Sequence, residues 1–361
     1  MVGAKTSVDT KWFPEKRSTL RRTVPFLVIG LLIFIAYLYF FVDIPEMLTI
    51  IQRVDLRYYL LAVAVLLLNM LAYSLTWQYF LQPLSINVPF RKTFLFSWIG
   101  VFVDLLIPAE SISGDTSKAY LMTKESGENA GKVVASVVGH RILSMIITLS
   151  TLIISSISLF ILQYELPAFV SNLILLVAIG TVISLIFIFL LCIREQLTQK
   201  LIDLLLRFFV FISRGRLKLT SLRSKARKTL SAFHQSIEVL GGNPRSLVRP
   251  VFFSIVAWFL SVLLSLLVFV SLGHPVGFVL VTIVTSISVS IQNIPLGVPG
   301  EVGLVEIAMT SLYIALLGPQ AVSVAAAATV LIRVLTVWFR LLLGFVAIQW
   351  IGIKALIGGS H

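Results

Sequence analysis

Residues 141–145 read RILSM and residues 333–337 read RVLTV, so one short pattern occurs twice, each time inside a long apolar stretch. A proline followed by acidic residues precedes each arginine, Pro108 by 33 positions in the first stretch and Pro299 by 34 in the second. Apolar segments that break at matching places, each followed by an arginine, are typical of a duplicated membrane protein with a polar site at its centre.

Composition agrees with a protein that lies in a lipid bilayer. The chain has 361 residues, of which 58% are hydrophobic and only 12% are charged, and its mean hydropathy is +1.00. Apolar runs of roughly 20 residues recur, which is the length that a helix needs to cross the hydrocarbon core. The strict alternation of a transmembrane barrel is absent. We therefore predict an all-α, polytopic helical membrane protein.

Residue types that form metal and cofactor sites are scarce in this chain. A single cysteine, Cys192, excludes an intramolecular disulfide and a cysteine-cluster metal site. The four histidines show no spacing typical of metal ligands. We therefore predict no metal and no cofactor.

The net charge of +13 is concentrated in two places. Residues 1–24 carry six Lys or Arg against two acids, and residues 194–249 carry twelve against three, while the rest sums to zero. Basic flanks favour the cytoplasmic side, so we predict cytoplasmic termini and a location in the plasma membrane of a prokaryote. Residues 194–249 are predicted to contact the anionic inner leaflet. Nucleic acid is not a predicted partner, because no aromatic residues interleave a recognition motif.

Span lengths and charges predict one membrane domain built of two units of opposite direction. Each unit consists of a span, a re-entrant broken helix and a second span, because the apolar stretches 93–107 and 276–294 are too short or too interrupted to cross alone. One extra span between the units inverts the second copy. The predicted parts are 1–24, a basic cytoplasmic tail; 25–163, the first span and first repeat; 169–193, a linking span; 194–249, a basic amphipathic segment; and 250–354, the second, inverted repeat.

The two arginines are the main candidates for a functional site. Arg141 lies 8 residues into its apolar run and Arg333 lies 12, which is roughly 12 and 18 Å of helix. Both depths are near the middle of a bilayer core. An unpaired guanidinium is costly there, so each arginine needs a carboxylate, an anionic ligand or water.

The candidate partners of the arginines lie near the two breaks. Two interpretations stay open: ion pairs that pin each re-entrant element to its helix, or arginines that bind a phosphate headgroup with the acids as competing counter-ions. Asp104 could equally face the cytoplasmic opening, and His140 could simply pack between helices. The full candidate set for substrate binding is Arg141, Arg333, Glu110, Asp115, Lys118, Glu301, Glu306, His140 and Asp104.

Two motifs carry a family resemblance. PAESISGDTSK at 108–118 and PLGVPGEVGLVE at 295–306 resemble elements of the lysylphosphatidylglycerol synthase transmembrane-region family, over roughly residues 25–350. In that family an arginine is usual at the position of Lys118, and a glycine at that of Glu301. The residues that match the family motifs are Pro108, Gly114 and Asp115 in the first and Pro299, Gly303 and Glu306 in the second.

The resemblance implies an eight-span-like core that handles anionic or phosphate-linked lipids. Members include the flippase half of the bacterial lysyl-lipid synthase and archaeal proteins linked to dolichol-phosphate sugars. Lipid aminoacylation by this chain is not expected, because nothing outside the predicted spans is long enough to form a soluble aminoacyl-transferase domain.

The leading functional prediction is a flippase or transporter for an anionic or polyprenyl-phosphate-linked lipid. A central pair, Arg141 and Arg333, would hold the headgroup phosphate between the two re-entrant elements while the tails stay in lipid. Two alternatives stay open: a membrane-embedded polyprenyl-phosphate-dependent glycosyltransferase, and a small-solute secondary transporter. Transport is favoured over catalysis, and a homo-oligomer is left open.

Overall fold

The computed structural model describes residues 32, 34–36, 39–40, 43–107, 112–212, 219–293 and 298–357. Side chains at 205, 207–212, 219–223, 225 and 351–357 are not part of that description. The basic tail at 1–24, most of the predicted first span and the candidate Glu110 lie outside the described residues.

Every regular element in these ranges is helical. Asparagine and aspartate side chains begin several helices by capping free backbone N–H groups. Asp55 accepts a hydrogen bond from the backbone of Arg57 at 2.9 Å, and Asn129 accepts one from Gly131 at 2.8 Å. The helices are α1 (Ile44–Gln52), α2 (Leu56–Leu81), α3 (Phe90–Leu106), α4 (Ile112–Ser126), α5 (Ala130–Ile161), α6 (Ala168–Ile193), α7 (Glu195–Ile212), α8 (Leu219–Gly242), α9 (Val248–Ser271), α10 (Phe278–Gln292), α11 (Leu304–Leu317), α12 (Val322–Arg333) and α13 (Arg340–Ile357), with a π-helical segment, Val334–Phe339, between the last two.

Six segments among the described residues are long and apolar enough to cross a membrane. Their lengths and hydropathy confirm the predicted all-α, polytopic membrane protein. α3 and α10 are shorter, with 17 and 15 residues, and each ends at a break. That these two helices re-enter the membrane stays a prediction. The six segments are Leu56–Leu84, Ala130–Ile161, Ala168–Ile193, Pro244–Ser271, Pro299–Leu317 and Pro319–Trp350.

The two predicted units pack by the same scheme. α2 and α9, the first long helix of each unit, form the most extensive helix pair. α3 packs on α13 and α10 packs on α5, so the short helix of each unit contacts the final helix of the other. α4 and α11 pack on the long helix that follows each of them. This correspondence agrees with a duplicated unit, while the direction of each unit across the membrane stays a prediction.

A close helical hairpin formed by α3 and α4 contains the described part of the first motif, residues 112–118. A Cβ added at Gly114 would lie 2.3 Å from the carbonyl oxygen of Gly100 and 2.2 Å from the Asp104 carboxylate, so only glycine fits. The Asp104 carboxylate accepts hydrogen bonds from the Gly114 backbone at 2.6 Å and the Ser113 hydroxyl at 2.9 Å. It therefore satisfies backbone groups at the start of α4.

Two helices, α7 and α8, occupy the basic segment predicted to lie at the inner membrane face. α8 is not a free polybasic helix, because it packs along α5 through Leu230, Phe233 and Leu240. A Cβ at Gly131 would lie 2.0 Å from the carbonyl oxygen of Thr229, so the two backbones touch there. The contact of this segment with the membrane surface stays a prediction.

Candidate functional site

Arg141 lies where three helices of the described chain meet. The guanidinium projects from α5 and donates through Nη1 to Asp115 Oδ2 of α4 at 3.2 Å. Its Nη2 donates to the backbone carbonyl of Asn293, just past the end of α10, at 3.3 Å. The Arg141 and Asp115 side chains are 23% and 22% exposed. This pair therefore joins the two predicted units and remains accessible.

Lys118 holds the other side of the same carboxylate. Its Nζ is 2.7 Å from Asp115 Oδ1 and donates to the Tyr73 hydroxyl at 3.2 Å, and the side chain is only 3% exposed. The ammonium also lies 5.4 and 5.3 Å from the ring centroids of Tyr73 and Trp77, which adds cation–π attraction. Asp115 is thus shared between a buried lysine and a partly exposed arginine.

A large open cavity of about 1200 Å³ begins at this pair. Its walls are α4, α5, α6 and the end of α10, and Asp115 and Arg141 are its charged lining residues. The remaining walls are mainly aliphatic and aromatic side chains, with a few hydroxyls. A ligand that fills this cavity would bring an anionic group to Arg141 and a long apolar part to the walls. The apolar walls include Val134, Val138, Leu173, Leu176, Ile183 and Phe187.

Arg333 forms a second network that is closed. Its Nε donates to Glu306 Oε1 at 2.7 Å, and its Nη2 donates to the Gly300 carbonyl at 2.6 Å. The backbone N–H of Gly303 donates to the other Glu306 oxygen at 2.7 Å. The Arg333 and Glu306 side chains are only 4% and 5% exposed. The guanidinium therefore ties the loop before α11 to the end of α12.

The loop in this second network has an unusual backbone. Gly300 and Gly303 have φ values of 58° and 94°, which glycine adopts without a Cβ clash. Glu301 lies between them with φ 48° and is fully buried. A left-handed, buried glutamate costs folding energy. The Arg333 and Glu306 contacts on both sides hold this turn in place.

The predicted site residues divide into separate groups. Arg141, Asp115 and Lys118 form one network, and Arg333 and Glu306 form another beside Glu301. Neither Arg333 nor Glu306 lines the Arg141 cavity. The two remaining described candidates border the first network: Asp104 caps α4, and His140 is buried with its ring centroid 4.5 Å from that of Tyr73, which accepts from Lys118.

Sequence reasoning missed a third polar cluster at the centre of the bundle. Asn69, halfway along α2, donates to the Ala257 carbonyl at 2.6 Å and to Ser261 Oγ at 2.9 Å. Its Oδ1 accepts a hydrogen bond from Arg340 Nη2 at 3.1 Å. The Arg340 guanidinium therefore lies against the middle of α2. The overlooked signal was a lone amide in a long apolar helix.

The chain is similar to known membrane proteins over most of its length. A sequence profile described as the lysylphosphatidylglycerol synthase TM region matches residues 27–344. A UPF0104 membrane protein of Pyrococcus horikoshii is 25% identical over 324 residues, covering 88% of this chain and 94% of that protein. A UPF0104 membrane protein of Methanothermobacter thermautotrophicus is 25% identical over 310 residues, covering 83% and 87%.

These similarities extend across both arginine networks and both motifs, and they indicate a function related to membrane lipids. The relatives are archaeal, and their names describe integral membrane proteins. The chain belongs to the lysylphosphatidylglycerol synthase transmembrane-region family.

Proposed function

We propose that this protein moves a phosphate-bearing lipid, either an anionic phospholipid or a polyprenyl-phosphate-linked glycolipid, across the cytoplasmic membrane. The observation that carries the proposal is the cavity of about 1200 Å³, which has apolar walls and Arg141 with Asp115 at its polar part. This distribution of charge matches an amphipathic ligand. The planar guanidinium suits phosphate because it can donate two parallel, charge-assisted hydrogen bonds.

Asp115 is the counter-ion that a phosphate displaces in this proposal. Its second oxygen stays on Lys118 at 2.7 Å, so the carboxylate remains compensated when Arg141 turns to a ligand. Water around the headgroup is replaced by fixed donors, which lowers the cost of bringing a charge to the membrane centre. The acyl or isoprenoid tails of the lipid would remain against the α6 side of the cavity.

The Arg333 network is the closed counterpart of the Arg141 network in the proposed transport cycle. If the units are inverted, opening one network while closing the other exposes a central phosphate site to alternate membrane faces. Arg141 and Arg333 would then bind the headgroup one after the other. The 194–249 segment would face the anionic inner leaflet and keep the termini cytoplasmic.

Cysteine labelling tests the inverted arrangement. Ser117 lies on α4 and Ser311 lies on α11, the helix that follows the break in each unit. In a Cys192→Ala background, Ser117→Cys and Ser311→Cys are expected to react with a membrane-impermeant maleimide from opposite sides of oriented vesicles. Labelling of both from the same side would refute the inversion.

Lipid translocation tests the function itself. Proteoliposomes would carry fluorescent phosphatidylglycerol, fluorescent phosphatidylcholine or a labelled polyprenyl-phosphate sugar, and the accessible fraction would be followed over time. Arg141→Gln is expected to abolish protein-dependent movement of whichever of these lipids the unaltered protein moves. Arg249→Gln is the matched control, because that arginine is exposed and lies over the Tyr79 ring.

Undiminished translocation by Arg141→Gln would discard the site. Formation of a new glycosylated product from the labelled sugar lipid would instead favour the glycosyltransferase, and movement of small anions without lipid would favour the solute transporter.

A further inference from the structure

Arg340 is a cation inside the bundle that has no acidic partner among the described residues. Among the ion pairs formed by the described residues, none includes Arg340. Its Nη2 donates to Asn69 Oδ1, while its Nε is buried and has no hydrogen-bond partner in the described part of the chain. A buried guanidinium with an unused donor is costly unless an anion reaches it.

A second cation, Lys118, contacts the same helix, α2, at Tyr73. Asn69 and Tyr73 are four residues apart on α2, so their side chains occupy adjacent turns, about 6 Å apart along the axis. Arg340 bonds to Asn69 and Lys118 bonds to Tyr73. Asp115 compensates Lys118 and also pairs with Arg141, and the Asp104 carboxylate interacts electrostatically with Lys118 as well. Two cations therefore approach one face of α2, and between Asn69 and Tyr73 that face contributes no carboxylate.

Two hydrogen-bond donors beside this gap are unused in the described part of the chain. The Tyr73 oxygen already accepts from Lys118, which leaves its own hydrogen to donate, and the Arg340 Nε–H is unused. Tyr73 and Arg340 both retain partial exposure, so space adjoins them. The π-helical segment Val334–Phe339 comes directly before Arg340, and such segments often occur at functional sites.

We propose that Arg340, Lys118 and Tyr73 form an inner anion-binding position that takes a phosphate group, as a lipid headgroup or as free phosphate. This position is separate from the Arg141 cavity, whose lining includes none of these three residues. It is linked to that cavity through Asp115, which lines the cavity and bonds to Lys118. The inner position stands on these contacts and does not require that the cavity transports lipid.

Binding to the purified full-length protein in neutral detergent tests the proposal. The probes are inorganic phosphate and dihexanoyl phosphatidic acid, and the readouts are calorimetric affinity and the ligand-dependent rise in the unfolding midpoint. Arg141→Gln serves as the background because it removes the cavity site. We expect this variant to retain binding of at least one probe, and Arg340→Gln added to it to weaken that binding about tenfold, as loss of a charged hydrogen bond does.

Arg340→Lys keeps the positive charge but removes the planar guanidinium. It therefore provides a second variant for the binding measurement if Arg340→Gln folds poorly. It should weaken the residual binding by a smaller factor, and Arg249→Gln in the same background should leave it unchanged. A response to phosphatidic acid alone identifies a headgroup position, and a response to inorganic phosphate identifies a free-phosphate position.

The proposal is overturned if the Arg141→Gln background binds neither probe, or if Arg340→Gln and Arg340→Lys both leave its affinity unchanged. Neither result bears on lipid movement at Arg141, which the translocation assay measures separately. Conversely, unchanged translocation in Arg141→Gln would remove the transport proposal and leave the inner anion position standing.

Discussion

The Arg141 and Arg333 networks come from corresponding positions of a repeated sequence but have different surroundings. Each pairs an arginine of a long helix with an acid that follows a proline-led break. The first pair is more than a fifth exposed and lines a cavity, whereas the second is about 95% buried. The repeated sequence therefore supplies an arginine and an acid to each network, and packing determines whether the pair can meet a ligand.

The difference begins with the partners of each carboxylate. Lys118 lies ten positions after Pro108, and the same offset from Pro299 is occupied by buried Met309. Asp115 is consequently shared between two cations, while Glu306 is satisfied by one arginine and one backbone N–H. The first acid can release its arginine and stay paired, and the second cannot.

Neighbouring helices complete the difference. α6 stands against α5 and leaves a cavity beside Arg141. α12 is covered by α1, α9 and α11, and Ser323 of α12 donates to Glu46 of α1 at 2.5 Å. Among the described residues, the linking helix α6 lines the cavity beside Arg141, and neither Arg333 nor Glu306 lines that cavity.

Neutralising each arginine should separate the two networks most clearly. Arg333→Gln leaves the Glu306 charge buried without its cation, and we expect a loss of about 3–5 kcal/mol in the free energy of unfolding. Arg141→Gln should cost about 1 kcal/mol or less, because its pair is partly exposed. Reversible denaturation in detergent measures both. The Arg333→Gln/Glu306→Gln double variant should recover much of the loss, and equal destabilisation by the two single variants would contradict the comparison.

Disturbing the α3–α4 hairpin should damage the open network alone. Gly114→Ala drives a methyl group into the Gly100 carbonyl and the Asp104 carboxylate, so we expect about 1–3 kcal/mol of destabilisation from overpacking. Anion binding at Arg141 should weaken as well, because Asp115 follows Gly114 directly. Gly241→Ala is the matched control, since a Cβ there meets nothing within 4 Å. Stability equal to that of the control would show that the hairpin tolerates movement.

Replacing Lys118 by methionine, the residue at the matching position 309 of the second unit, should make the open network resemble the closed one. Lys118→Met leaves Asp115 to pair with Arg141 alone, which increases competition with a phosphate. In an Arg340→Gln background, which weakens the inner anion-binding position, we expect about tenfold weaker binding of dihexanoyl phosphatidic acid, equivalent to one charge-assisted hydrogen bond. Calorimetry measures the affinity, and Lys132→Met, at an exposed pair with Glu128, is the control. Tighter binding by Lys118→Met would show that Asp115 does not compete.

An exposed ion pair supplies the lower limit of the series. Lys92, near the start of α3, and Glu125, near the end of α4, form an ion pair at 3.0 Å, and both side chains are well exposed. Lys92→Gln should lower the free energy of unfolding by less than about 1 kcal/mol, and high salt should remove the difference. Unfolding at low and high ionic strength checks this. A loss as large as that of Arg333→Gln would mean that burial does not distinguish these pairs.

Local sequence properties predicted much of the fold and part of the site. Apolar length belongs to each segment by itself, so the helices corresponding to α2, α5, α6 and α9 could be predicted closely. The cost of a buried guanidinium also predicted that Arg141 and Arg333 would have acidic partners near the breaks. The role of Asp104 depends on the approach of Gly100 to Gly114, which is a property of two packed helices. The Arg340–Asn69 contact spans 271 positions, and no local pattern indicates it.

The sequence by itself determined a helical membrane protein with two similar motifs, because hydrophobic length and the cost of buried charge act on each segment separately. Only the tertiary structure decided that the arginines form two networks instead of one central pair, and that Arg141 is open while Arg333 is closed. The exposure of each arginine depends on contacts with helices that are far apart in the chain. The helix α6 beside Arg141, and the loop backbone with Glu306 around Arg333, supply that difference after folding.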